Sequence, residues 1–361
     1  MMFHRNKKGL TDILPLHKVE IGAWAEQNFL FGVLMEQVTG WDWIVNQFIQ
    51  LRGSHYMRYA WNDIDSSITF YPYGIHQLTP NIFDLCPYIN KYTIPKSMIL
   101  ANYKNFHVFV KLALHQKFYL STFLDQFFRE DKHGNYGFHH PSFIYGYDDK
   151  LKKVYLADNF EKGKYGTKVI TYEQLDRAFE LVTGDMWEVS VFLYKAVPYK
   201  HQFSSRYVKE QIEDYLKPGQ GVCYLNRTIC PESFHHDEEY MNEVFFGIDC
   251  YKLLFSYLEA VLENSAEYLD NDWRSFVLLC DHKYLMIRRY EYMIRNGYMR
   301  EDIALHKGLK DLEQECRILR NMFIKYTITD ETDIIKRMIE RIKGVKEADE
   351  RHMKLFLDRI Y

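Results

Sequence analysis

No apolar run in this 361-residue sequence reaches the roughly 20 residues needed to cross a bilayer, so no helical membrane span is expected. An excess of positive charge is also lacking. The 46 Lys and Arg stand against 49 Asp and Glu, and this balance gives no support to a generic nucleic-acid binder. No Gly-rich loop of Walker or Rossmann type occurs, so nucleotide-driven chemistry has no support and no cofactor is expected. Cysteine is sparse: Cys86, Cys223, Cys230, Cys250, Cys280 and Cys316 are scattered, without the close spacing of a small disulfide scaffold. Several fall in helical patterns, as small core residues do. The basic start, Met1 to Gly9, is followed by no apolar signal-peptide core. A reducing cytoplasm fits these absences.

Core material, by contrast, is plentiful. Hydrophobic residues make up 47% and aromatics 17%, enough for two modest domains and against extensive disorder. A helix is expected from Ala25 to about Val38, with Leu30, Val33 and Leu34 inward, and another from Trp41 to Leu51 after the break at Thr39-Gly40. Tyr103 to Leu114 and Lys117 to Phe128 read either way. Pro141 to Tyr147 is aromatic-rich, Asp148-Asp149-Lys150 is a turn, and Lys153 to Ala157 reads as the partner strand of an antiparallel hairpin. Lys168 to Ile170 and Val189 to Val197 are further strands, and Thr171 is placed to cap a short helix.

After about Ser204 the pattern becomes helical. Leu254, Tyr257, Leu258, Val261 and Leu262 form one stripe, and Ile335, Met338, Ile339, Ile342 and Val345 another. Leu305, Leu309, Leu312, Cys316, Leu319 and Phe323 alternate steps of four and three, as in a bundle seam. The expected fold class is α+β: an N-terminal domain with an antiparallel sheet over residues 1–203, then an all-α helical bundle over 204–361.

The chemistry-bearing stretch runs from His139 to Phe160. His140 opens one strand of the hairpin, and Asp158 closes the other 18 positions later. In a hairpin with a short turn, the start of the first strand lies beside the end of the second. Asp158 can therefore orient His140 as in a general-base pair. The bland alternative is a surface histidine and a strand-terminal turn aspartate.

A histidine, about four residues, then Tyr145-Gly146-Tyr147-Asp148-Asp149 and the Val154 to Asp158 strand together resemble the His–Asp part of papain-like enzymes. The relevant branch includes the bacteriocin-processing cysteine peptidases and the butirosin biosynthesis protein H family. The specific match covers roughly Phe138 to Phe160, with a looser one across the first 200 residues. The later segments Gly247 to Tyr251 and Asp281 to Arg289 resemble the helical extension of such proteins. The resemblance implies a papain-like fold, natural-product biosynthesis beside nonribosomal peptide or polyketide synthetases, and acyl transfer from a carrier-protein thioester to an acceptor amine.

It also implies a nucleophile at the N-terminus of the first long helix, where the helix dipole and a nearby histidine lower a thiol pKa. The matching stretch, Gly22 to Gly32, contains no Cys, Ser or Thr. By comparison with the family pattern, Ala25 stands at the vacated position, Asn28 matches the family's Asn, and Gln27 is placed to help bind an oxyanion. The chain is then a natural pseudoenzyme, an inactivated Cys→Ala form, or an enzyme using another thiol such as Cys86. The bland reading of Cys86 is a loop or core thiol.

Other sets are weaker. Cys223, Cys230, His235 and His236 miss the compact Cys spacing of structural zinc sites, and no metal is expected there. His282 and Arg289 share a helix face with Arg288 rotated away, either a solvated surface or a contact for a phosphopantetheine arm. Tyr71-Pro72-Tyr73, Phe118-Tyr119 and Phe127-Phe128 line an acyl channel or simply pack the core. Three hypotheses stand: an acyl- or aminoacyl-transferase with a Cys-His-Asp triad whose nucleophile is missing; a papain-like binding module holding a carrier protein or peptide; and a peptidase using Cys86. The partners these imply are a carrier protein with its phosphopantetheine arm and a small-molecule or peptide acceptor, with neither nucleic acid nor membrane.

Overall fold

The computed structural model describes residues 11–54, 67–70, 82–130, 136–160, 163–184, 189–218, 244–263 and 273–361. The chain opens with β1 (Thr11–Ile13), α1 (Ala25–Leu34), α2 (Gly40–Asn46), β2 (Leu51–Ser54), β3 (Ser67–Phe70) and β4 (Ile89–Pro95). There follow α3 (Lys96–Asn102), α4 (Phe106–His115), β5 (Tyr119–Asp125), β6 (His139–Asp148), β7 (Lys153–Asn159), β8 (Tyr165–Thr171), α5 (Tyr172–Leu181) and β9 (Ser190–Ala196). The rest is α6 (Ser205–Leu216), β10 (Val244–Phe246), α7 (Cys250–Leu262), α8 (Arg274–Arg295), α9 (Ile303–Thr329) and α10 (Thr332–Arg359). The fold class is mixed α+β, with antiparallel sheet and C-terminal helices.

Two compact units emerge, one of Met1–Trp41 with Ile82–Lys200, the other of Asp42–Asn81 with His201–Tyr361. The chain thus leaves the first unit after Trp41 and returns to it at Ile82, where the sequence suggests one boundary after residue 203.

In the first unit the strands run in the order β4-β9-β5-β6-β7-β8, with β1 added against β6, and every pairing is antiparallel. The β6–β7 turn is set by Asp148, whose Oδ1 accepts from Lys150 N at 2.9 Å and Leu151 N at 3.0 Å, an Asx turn. A register shift between Ile144 and Gly146 bulges β6 at Tyr145. A Cβ on Gly146 would lie 3.0 Å from Ile13 Cγ1, so a glycine there lets β1 close on the sheet. Thr171 caps α5 as a full capping box, its Oγ1 accepting from Gln174 N at 3.1 Å while Gln174 Oε1 accepts from Thr171 N at 2.9 Å. The two ambiguous stretches resolve differently: one becomes α4, the other the almost wholly buried strand β5.

α1 begins where expected but ends at Leu34 rather than near Val38. The chain turns back so closely that a Cβ on Gly40 would meet Leu34 O at 2.1 Å. Phe29 on α1 stacks on Phe143 of β6 with centroids 4.3 Å apart, and edge-on against Tyr119 of β5 at 5.5 Å.

In the second unit β2 is the middle strand of β10-β2-β3. Around it α8 packs on α9, α9 on α10, and α7 on α10. The seam residues Leu305, Leu309, Leu312, Cys316, Leu319 and Phe323 are all buried, as are Ile335, Met338, Ile342 and Val345. His282 and Arg289, expected on a solvated or phosphate-binding face, are instead fully buried. Arg289 Nε donates to Val45 O at 2.6 Å, and its Nη2 to Gln47 O and Phe48 O, fastening a turn in which Phe48 adopts φ 56°. Burial pulls the guanidinium down to about 9. His282 Nε2 meets Ile49 O at 2.8 Å, and burial, then the Lys283 charge, holds its pKa well below the usual range. The buried Lys283 ammonium donates to Asp349 Oδ2 and lies 2.9 Å from His282 Nδ1, while Tyr215 and Tyr251 hydroxyls donate to the same carboxylate oxygen at 2.6 and 3.1 Å. Arg288 does face outward, pairing with Glu291 at 3.0 Å.

Candidate functional site

The hairpin that positions the site is β6–β7. Its register pairs Phe143 with Ala157, so the next positions outward bring the start of β6 beside the end of β7. There the structure brings His140 and Asp158 together, with Nδ1 to Oδ2 at 3.0 Å. The Asp158 side chain is fully buried, whereas that of His140 is 32% exposed. Burial alone would pull the imidazole pKa down. The Asp158 charge and hydrogen bond, with the Pro141 carbonyl, outweigh it and raise the net value. A partly exposed imidazole held at Nδ1 by a buried carboxylate can take a proton from a ligand group at Nε2.

Several residues around the pair escape a reading of the sequence alone. Asp125 closes an Asx turn just after β5, accepting from Phe127 N at 3.1 Å and Gly137 N at 2.7 Å. That turn aims Gln126 inward, where Nε2 donates to Asp158 Oδ2 at 2.5 Å and Ser142 Oγ at 2.9 Å. Ser142 Oγ donates to Asp158 Oδ2 at 2.9 Å, and Arg129 Nη1 donates to Gln126 Oε1 at 3.0 Å. Ser142 sits two positions after His140 on the same strand face, a signal that alternation offers. Gln126 carries none, lying in a segment whose pattern fits helix and strand alike. Phe138 lies parallel to His140 at 6.0 Å with the Arg129 guanidinium 5.3 Å from its centroid, and is itself 36% exposed.

Ala25 is the first residue of α1 and is buried. Its neighbour Glu26 is within electrostatic reach of the pair: burial raises the carboxyl pKa, His140 and Lys91 oppose the rise, and Asp158 adds to it. Gln27 and Asn28 are buried on the same turn. Asn28 Nδ2 donates to Trp24 O at 3.2 Å, tying the amide to its own helix, while its Oδ1 has no donor among the described residues. Cys86 is buried beside β4, and burial pushes its thiol up to about 12, away from the thiolate that nucleophilic chemistry needs. The other cysteines described, Cys250, Cys280 and Cys316, are also free, buried and shifted upward by burial.

Cys223, Cys230, His235, His236 and the Tyr71-Pro72-Tyr73 segment lie outside the described residues. Among those described, no group of three or more His, Cys, Asp or Glu is arranged to hold a metal ion, and no helix is long and apolar enough to cross a membrane. No family model matches the chain, and no curated protein matches it.

Proposed function

We propose that the first unit is a papain-like domain retained without its covalent nucleophile, serving as a binding module for an acyl- or peptidyl-bearing partner, with the second unit as its attached helical bundle. The observation that carries this reading is the 3.0 Å bond between His140 and Asp158 in a chain whose α1 begins at Ala25. A thiol there would gain from the helix dipole and, in this reading, from His140 acting as its base. A methyl group can form no acyl-enzyme.

The partner is an acyl or peptidyl carrier with a phosphopantetheine arm, or a peptide, and the cytoplasm is the setting. Replacing Ala25 by cysteine would complete a Cys-His-Asp triad of the acyl-transferase type, with Gln27 as the expected oxyanion helper. Incubation of the Ala25→Cys protein with a short acyl thioester, read by intact mass, is expected to give one acyl adduct on the introduced thiol that His140→Ala abolishes. A folded Ala25→Cys protein that takes up no acyl group would sink the reading.

A further inference from the structure

We infer that Gln126 is a positioning residue that fixes the tautomer of His140 through Asp158, an inference that rests on the reading of His140–Asp158 as a working pair. Asp158 Oδ2 receives Gln126 Nε2, Ser142 Oγ and His140 Nδ1 at 2.5, 2.9 and 3.0 Å, and Oδ1 receives Asn159 N at 2.6 Å. Gln126 offers two N–H groups, one to Asp158 and one to Ser142. Ser142 Oγ therefore accepts from the amide and keeps its own proton for Asp158.

An amide can turn over, exchanging its donor and acceptor ends. Two partners prevent this here: the acceptor-only Asp158 carboxylate takes the N–H end, and the donor-only Arg129 guanidinium holds Gln126 Oε1 at 3.0 Å. The chain of control therefore runs from Arg129 to Gln126 to Asp158 to His140. It ends with the proton on Nδ1 and the lone pair on Nε2. Were the amide reversed, its oxygen would face the carboxylate. Asp158 would swing away, and the Nδ1–H tautomer of His140 would keep only the longer contact to the Pro141 carbonyl, at 3.2 Å, in place of the carboxylate.

The test is nitrogen NMR of the protein labelled at histidine nitrogens, with His140→Gln supplying the assignment. In the chain as it stands, neutral His140 is expected as the Nδ1–H form. In Gln126→Ala the ratio of Nδ1–H to Nε2–H forms is expected to fall about tenfold or more, the loss of the preference given by one hydrogen bond to a charged group. Gln126→Glu, which keeps an acceptor for Arg129 but removes both donors, should do the same. If Gln126→Ala does not fold, Gln126→Met, which fills the same space without a donor, gives the reading, and the ratio falls. An unchanged tautomer in any folded one of these variants overturns the proposal, even where stability drops. The measurement needs no nucleophile at position 25, so failure of acylation there and failure of this inference are separate results.

Discussion

Replacing Asp158 by Ala strips one acceptor from four donors at once, and the structure sets the scale of the loss. Gln126 and Ser142 are buried and Asn159 N–H is held at 2.6 Å, while the partly exposed His140 can turn to water. An orphaned buried donor costs about 1–3 kcal/mol. Gln126 and Ser142 remain bonded to each other, so the low end applies to them, and the local loss is about 3–5 kcal/mol. A pH dependence follows from His140. Its pKa is raised in the folded state, so its contribution to stability is fully present below the ordinary histidine range near 6.5 and is lost as pH rises through the raised value. Asp158→Ala should therefore cost more at about pH 5.5 than at about pH 8.5. Amide hydrogen exchange along β6 and β7 reports the opening of this sheet without assuming that both units unfold together. A loss under about 1 kcal/mol, or one equal at the two pH values, would refute the reasoning.

Elsewhere, Asp349→Ala leaves the Lys283 ammonium buried without its carboxylate and should cost about 3–5 kcal/mol by urea denaturation, whereas the double change Lys283→Met/Asp349→Leu should recover most of it. Gly247→Ala places a Cβ 2.3 Å from Tyr215 O at φ 52° and is expected to destabilise by about 3 kcal/mol in thermal unfolding, with a neutral result counting against the geometry. Cys86 should resist alkylation in the native protein up to about pH 9, given a thiol pushed up to about 12; rapid labelling near neutral pH would contradict its placement.

The parts of the fold set by local chemistry were legible. The Asp148 turn fixes where the β6–β7 hairpin begins, and that hairpin, with its bulge, brings the start of β6 and its His140 within reach of Asp158. The same holds for Thr171, whose capping partner is three residues away, and for the seam on α9, where periodicity names the buried face. What sequence did not yield was set by groups far along the chain. β1 is three residues long and pairs Thr11 with Asp148, far along the chain in β6. His282 and Arg289 read as a basic surface because charge suggests solvent. Their acceptors are the carbonyls of Val45, Gln47 and Ile49, which no helical pattern reveals. Gln126 belongs to the same class, since its partners come from two other strands.

Position 25, in the function proposed here, lies where the helix dipole and His140 would ionise a thiol. The most direct measurement is the pH profile of alkylation of the thiol introduced by Ala25→Cys, with and without His140→Ala. The predicted result is a thiolate that reacts well below the ordinary thiol range near pH 8.5, with a return to that range when His140 is removed. An introduced thiol that reacts only in the ordinary range, indifferent to His140, would contradict it.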